Sequence, residues 1–190
     1  MAVIMQDLGE QPKTMNKLKE RIDHLVDDWA THSASFRRTG FWGAFGGAGG
    51  IFLARDTGRL LLARRSYQVL QPGTWGTIDH GEGPEDAVMR ETQEELGVQV
   101  KPEDFHLCYV FRDDRSRFVY YNYTVLVPQE FEPQLNWEVS DHAWIEFAQW
   151  PEPLHFGMQA WLQDARGESM LRNLVEQIVD ASNQRHSRLR

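Results

Sequence analysis

The chain has 190 residues, a hydrophobic fraction of 41%, 12% aromatic residues and a formal net charge of −8. That length and apolar content suffice to bury one core with extensions, which excludes a disordered segment, and the acidic balance argues against general nucleic-acid binding because a polyanion is repelled. No apolar run approaches the roughly 18 residues that a membrane-spanning helix needs, the start MAVIMQDLGEQPK lacks a basic stretch followed by an apolar core, so no secretion signal is expected, and the single Cys108 has no internal disulfide partner, which fits a reduced, cytoplasmic setting.

Leu18, Ile22, Leu25, Val26 and Trp29 recur at helical spacing, so residues 14–31 are expected to form an amphipathic helix. Its apolar face needs cover, either from the domain or from a second copy of the chain in a homodimer. Residues 45–54 read as a glycine-rich strand that turns at Asp56-Thr57-Gly58 and returns over 59–65 as RLLLARR, a hairpin. Gly46, Gly47, Gly49 and Gly50 are not followed by the Lys-Ser/Thr of a phosphate loop, so close packing or room beside a ligand is their expected use.

After the turn-forming Pro72-Gly73-Thr74-Trp75-Gly76, a periodic stretch begins at Pro84, suited to a first helical turn, and stops at Gly97, suited to a left-handed cap. About three and a half turns of helix are expected there. Two strands follow over 105–111 and 117–127, then one over 142–147, and a helical region over 155–182 with a break at Gly167. Strand pair, helix, strand pair, strand, helix implies an α/β fold with helices packed on a mixed sheet. The expected organisation is a helical extension over 1–39, a catalytic body over 40–150 and a C-terminal helical region over 151–190 packing on it.

The central helix carries the chemistry. Glu91, Glu94 and Glu95 are three and four positions apart and project as near neighbours. A solvated helix face would normally follow each Glu by a Lys or Arg four residues on. Here Glu91 is followed by Glu95, Glu94 by Val98 and Glu95 by Gln99, and Arg90 can serve Asp86 or Glu94 but not the whole cluster. Unneutralised carboxylates in that density suit a hard divalent cation that binds oxygen ligands and retains waters for a phosphate substrate.

Written as Gly76-x5-Glu82-x7-Arg90-Glu91-x-x-Glu94-Glu95-x-Gly97-Val98, the stretch resembles the signature box of the Nudix hydrolases. The resemblance implies an α/β/α sandwich that cleaves diphosphate linkages in nucleotide or nucleoside-diphosphate derivatives with Mg²⁺ or Mn²⁺. It implies metal ligation by Glu91, Glu94 and Glu95, support from Glu82, and orientation of the carboxylates by Arg90. It places Arg65, at the end of the strand before the box, on substrate phosphate. It offers Glu91 or Glu138 as general base, although for Glu138 a surface charge is the favoured reading, and Arg65 reads equally as an exposed strand-end charge. Tyr67, Tyr121 and Trp137 lie near strand ends where an aromatic ring can stack on a base, against a background in which most rings serve packing.

Two positions depart from the family pattern. Thr92 replaces the usual aliphatic residue, which weakens helix-to-sheet packing. The path from Trp75-Gly76 to Gly81-Glu82 is shorter than usual, so that Trp75 has to supply the carbonyl that relatives take from a glycine pair. A shortened loop motivates a different reading, a ligand sensor that kept the fold and lost turnover. An isomerase of isoprenoid diphosphates is a further reading, and it requires a reactive cysteine for which Cys108, in an apolar strand, is poorly suited.

Overall fold

The computed structural model describes residues 46–68, 72–77, 83–112 and 118–188. The helix expected over 14–31 lies outside them, as does Glu82. Strand β1 (Gly46–Ala54) and β2 (Leu60–Arg65) form the expected hairpin, followed by a two-residue β3 (Trp75–Gly76), helix α1 (Pro84–Leu96), β4 (Phe105–Arg112), β5 (Val119–Val127), β6 (Val139–Ile145), α2 (Phe156–Gln163) and α3 (Ala165–Arg188). The hairpin turn is closed by Gly58, whose φ of 73° suits glycine and whose N–H donates to the Ala54 carbonyl at 2.8 Å.

The sheet runs β3-β2-β1-β5-β4, with β6 on the far side of β2. β1 and β5 pair in parallel over their whole length while the other pairs are antiparallel, so the sheet is mixed. A parallel pair at the centre needs cover on both faces. All nine residues of β5 are buried.

The glycines of β1 show how that cover is arranged. Consecutive strand residues face opposite sides. A Cβ on Gly50 would lie 3.0 Å from both Val125 of β5 and Val88 of α1. One on Gly49 would collide with Thr77 and the Tyr120 hydroxyl, and one on Gly157 of α2 would sit 2.8 Å from the Tyr120 ring. Helix α1 therefore covers one face and α2 the other, the α/β/α sandwich. On the α2 side, Phe156 packs edge-on against Tyr120 at 5.6 Å, and Met158, Trp161, Leu171, Leu174 and Ile178 complete the core.

Several boundaries differ from expectation: β5 starts at Val119 and not at 117, α3 runs to Arg188 and not to 182, and two further differences have a visible cause. β6 starts at Val139 and ends at Ile145, because its ladder with β2 pairs the polar Asp141 with Arg64 and bulges at Ser140 while Phe147 falls beyond it. The C-terminal helices part at Asp164, not at Gly167. The Asp164 carboxylate accepts the Gly167 N–H at 2.7 Å and so caps α3. Gly167 lies in the first turn of α3, and a Cβ there would crowd Trp161 and Tyr109.

Candidate active site

Helix α1 begins and ends where Pro84 and Gly97 predict. Gly97 has φ 67° and returns its N–H to Gln93 at 3.1 Å, and Val98 N–H reaches Thr92 at 3.4 Å, a left-handed cap. Ala87, Val88, Thr92, Glu95 and Leu96 are its buried residues. Thr92 is 5% exposed and borders the site itself.

A cavity of about 30 Å³ opens between α1 and the β1–β2 hairpin, with Gly50, Ala63, Thr77, Glu91, Thr92 and Glu95 in its wall. It has room for a water-sized guest. Gly49 and Gly50 of β1 supply part of that wall, and the contacts that a Cβ would meet there show the close packing expected of the glycine run.

Glu91, Glu94 and Glu95 of α1 separate into two environments. Glu94 is 54% exposed and accepts from Arg90 Nη1 at 2.6 Å, while Arg90 Nη2 donates to Glu91 at 2.6 Å. One guanidinium thus bridges two carboxylates. Glu95 is 1% exposed, and neither of its oxygens accepts an N–H or O–H from a described residue. Burial first, then the charges of Glu91 and Glu138, push its carboxyl up to about 9; a proton on it hydrogen-bonds Glu91 and acts in the same direction, while the Arg65 guanidinium opposes them. The contact with Glu91 is a hydrogen bond only while one of the two holds a proton.

Tertiary structure thereby brings Glu138 and Arg65 to the α1 carboxylates. Arg65 ends β2 opposite Val139 of β6, and Ser66 N–H donates to the Glu138 carbonyl at 2.7 Å. Two other candidates fall elsewhere. Tyr121 is buried in β5, paired with Ala48, so it packs inside the sheet and does not present a ring at an open strand end. Trp75 is drawn into β3: its N–H donates to Pro153 at 3.1 Å, its carbonyl accepts the His155 N–H at 2.6 Å, and the Arg64 guanidinium lies 5.8 Å over its ring. The oxygen expected to face a metal is already an acceptor in strand pairing. Tyr67 is 81% exposed beyond the end of β2.

Among the described residues no three His, Cys, Asp or Glu side chains stand ready-arranged around one metal position. The chemistry of the donor set nevertheless fits a divalent cation. A fully buried carboxylate with two orphaned oxygens beside two more carboxylates is costly as it stands, and a hard cation satisfies those oxygens and the like charges together. Thiol chemistry is not available here. Cys108 is buried with Sγ 3.3 Å from Thr124 Oγ1, and burial pushes its thiol up to about 11.

Sequence reading alone did not find Thr77, whose hydroxyl meets the buried Tyr120 hydroxyl across the sheet. Their pairing spans 43 positions, and no local signal carries it.

The structure is an α/β/α sandwich with a mixed sheet that presents a carboxylate helix against a hairpin. A family profile for the NUDIX domain matches residues 45–165, and the chain belongs to that family and is a pyrophosphohydrolase of its type. Among solved structures it is similar to a Nudix hydrolase from M. smegmatis, RenU, with 24% identity and a TM-score of 0.52 over 68% of this chain and 88% of that one. It is also similar to the NUDIX domain of Shewanella oneidensis NrtR, a structure with ADP ribose, with 22% identity and a TM-score of 0.50 over 74% and 97% of the two chains. Both likenesses concern the fold. No curated protein matches the chain in sequence, and no helix among the described residues is long and apolar enough to cross a membrane.

Proposed function

We propose that the protein hydrolyses a diphosphate linkage in a nucleotide or nucleoside-diphosphate derivative, by attack of water on phosphorus, with Mg²⁺ or Mn²⁺ held by Glu91, Glu94 and Glu95 and supported by Glu82. The observation that carries the reading is Glu95, sealed from solvent with both oxygens orphaned beside Glu91 and Glu138. A bound divalent cation supplies charge neutralisation for the phosphate oxygens and Lewis acidity.

The rest falls to the protein. Arg90 ties Glu91 to Glu94 and keeps their carboxylates aimed. Arg65, one strand away, binds a phosphate oxygen and offsets negative charge that shifts toward the leaving group. Glu138 accepts the proton of the attacking water at its carboxylate, with Glu91 as the other base in reach of the same cluster.

The competing reading, a ligand sensor without turnover, draws on the engagement of the Trp75 carbonyl by His155. One experiment separates the two. Nucleoside triphosphates, dinucleotides, nucleotide sugars and ADP-ribose, the last prompted by the ligand of the Shewanella domain, are incubated with Mg²⁺ or Mn²⁺ and the products resolved as phosphate, pyrophosphate or nucleoside monophosphate. Hydrolysis of at least one, abolished by EDTA, is expected. Binding without any hydrolysis establishes the sensor, and hydrolysis that survives thorough chelation refutes the metal-dependent mechanism.

A further inference from the structure

Glu138 stands just before β6, yet its carboxylate acts on Glu95 of α1, and the segment that precedes it ties the two elements together. The last four carbonyls of a helix lack partners within it. At the end of α1 the Glu95 carbonyl accepts the Asn136 N–H at 3.3 Å and the Leu96 carbonyl accepts the Gln134 N–H at 2.8 Å. Residues 134–136 therefore lie along the C-terminal end of the acidic helix. The approach is close, since a Cβ on Gly97 would stand 2.9 Å from the Gln134 Cβ.

Asn136 makes a second contact with its side chain. Its Oδ1 accepts the Glu138 N–H at 2.8 Å, an Asx turn, and the Glu138 carbonyl accepts the Ser66 N–H at 2.7 Å. Both backbone polar groups of Glu138 are thereby pinned, one to the residue that holds the end of α1 and the other to the chain just beyond Arg65. The intervening Trp137 is turned outward and is 61% exposed, at the ladder end where Tyr67 follows Ser66. The β2–β6 ladder bulges at Ser140, two residues past Glu138. A bulge interrupts regular pairing, so the strand alone holds Glu138 less firmly than an unbroken ladder would, and the Asn136 acceptor supplies the missing anchor.

We infer that Asn136 is a positioning residue: it fastens the backbone of Glu138 to the end of the acidic helix and so holds the carboxylate that takes the proton of the attacking water in register with the carboxylates of α1. The inference rests on the proposed function for the role of Glu138 and adds the residue that aims it. A base has to lie within hydrogen-bond reach of its proton, and a displacement of about 1 Å can cost on the order of 100-fold in rate. Asparagine suits the position because its oxygen accepts the Glu138 N–H without charge, whereas aspartate would accept the same N–H and add a negative charge beside Glu138 and Glu95.

The test is a double-mutant cycle on the full-length protein with Mg²⁺ and its best substrate. Asn136→Leu keeps the size and removes the acceptor, and kcat is expected to fall about tenfold or more with KM within about twofold. Asn136→Asp restores the acceptor and should recover most of the loss. In a Glu138→Gln background, where no base is left to aim, Asn136→Leu should cost less than about twofold. Amide exchange gives a readout free of catalysis: the Glu138 N–H should exchange about tenfold faster in Asn136→Leu than in the wild type. Melting temperature monitors the fold, and Asn136→Ser, which keeps a weaker acceptor, should give an intermediate kcat and serves if Asn136→Leu does not fold. An equal loss in both backgrounds assigns Asn136 to the fold alone and overturns the inference, and so does a wild-type kcat in Asn136→Leu or in Glu138→Gln. A wild type that hydrolyses no diphosphate refutes the proposed function and this inference with it, whereas an active wild type with an unaffected Asn136→Leu refutes the positioning alone, so the two failures are distinguishable.

Discussion

Helices α1 and α3 each carry an acid with a charged residue four positions on, and they use the arrangement in opposite ways. In α3 Glu168 is followed by Arg172; the two form an ion pair, and the Arg172 guanidinium also lies 4.8 Å over the Phe147 ring. Glu168 sits in the first turn, where the helix dipole favours a negative charge. In α1 Glu91 is followed by Glu95, the last turn has no basic residue, and Glu94 and Glu95 occupy the end where the dipole disfavours them. The charges of α3 support its helix, and those of α1 work against theirs. Burial of Glu95 among them makes sense as preparation for a cation.

The largest expected effect tests that contrast through turnover. Glu91→Gln and Glu95→Gln keep size and remove a negative charge, and hydrolysis of the best substrate should fall on the order of 100-fold or more. Glu94→Gln should fall in the same direction. Glu168→Gln in α3 should stay within about twofold of wild type under the same assay. Wild-type rates in the α1 variants would place both helices in the same solvated class.

A second difference lies in pH. Unfolded, the Glu95 carboxyl ionises near its model value of 4.5, and folded it is pushed up to about 9. Between those values the folded chain keeps a proton that the unfolded chain has released, so raising the pH favours unfolding. The contribution is fully present below about 4.5 and gone above about 9. Melting curves of EDTA-treated protein should therefore show this loss as pH rises through that window. Glu95→Gln should flatten the dependence, and Glu168→Gln should leave it in place. Stability that instead rises over the window because of Glu95 would contradict the burial of its carboxyl.

Metal titration sharpens the same comparison. Mg²⁺ at a hundredfold excess over its Kd should stabilise the fold by about 2.7 kcal/mol, with a smaller gain in Glu95→Gln, as read by thermal melts. An equal gain in that variant would move the cation away from the buried carboxylate. The smallest effect belongs to α3, where the exposed Glu168–Arg172 pair is screened by solvent. Glu168→Gln should cost no more than a few tenths of a kcal/mol in denaturant unfolding.

Local physics made much of this molecule legible in advance. Pro84 and Gly97 bound α1 because a fixed φ and a left-handed cap are properties of single residues. The Asp56-Thr57-Gly58 turn set the β1–β2 hairpin for the same reason. The break between the last helices was also local, but the stronger signal was Asp164 as a cap for α3, not the flexibility of Gly167. β6 was displaced because apolar patterning favoured 142–147, whereas its ladder with β2 admits the polar Asp141 and a bulge at Ser140.

What sequence by itself determined, then, is the β1–β2 hairpin, the acidic helix and the family whose box it matches, since each depends on residues within a few turns of one another. Tertiary structure decided which of those residues share a site. Glu94 and Glu95 are neighbours in the chain, yet packing of α1 on the hairpin leaves one 54% exposed with Arg90 and buries the other. Glu138 and Arg65 meet Glu95 only because β6 pairs with β2. Trp75 and Tyr121 were spent on strand pairing and core, while Tyr67 and Trp137 were left at one ladder end. Such outcomes depend on contacts between distant segments, whose free energies come from burial and pairing that no local pattern encodes.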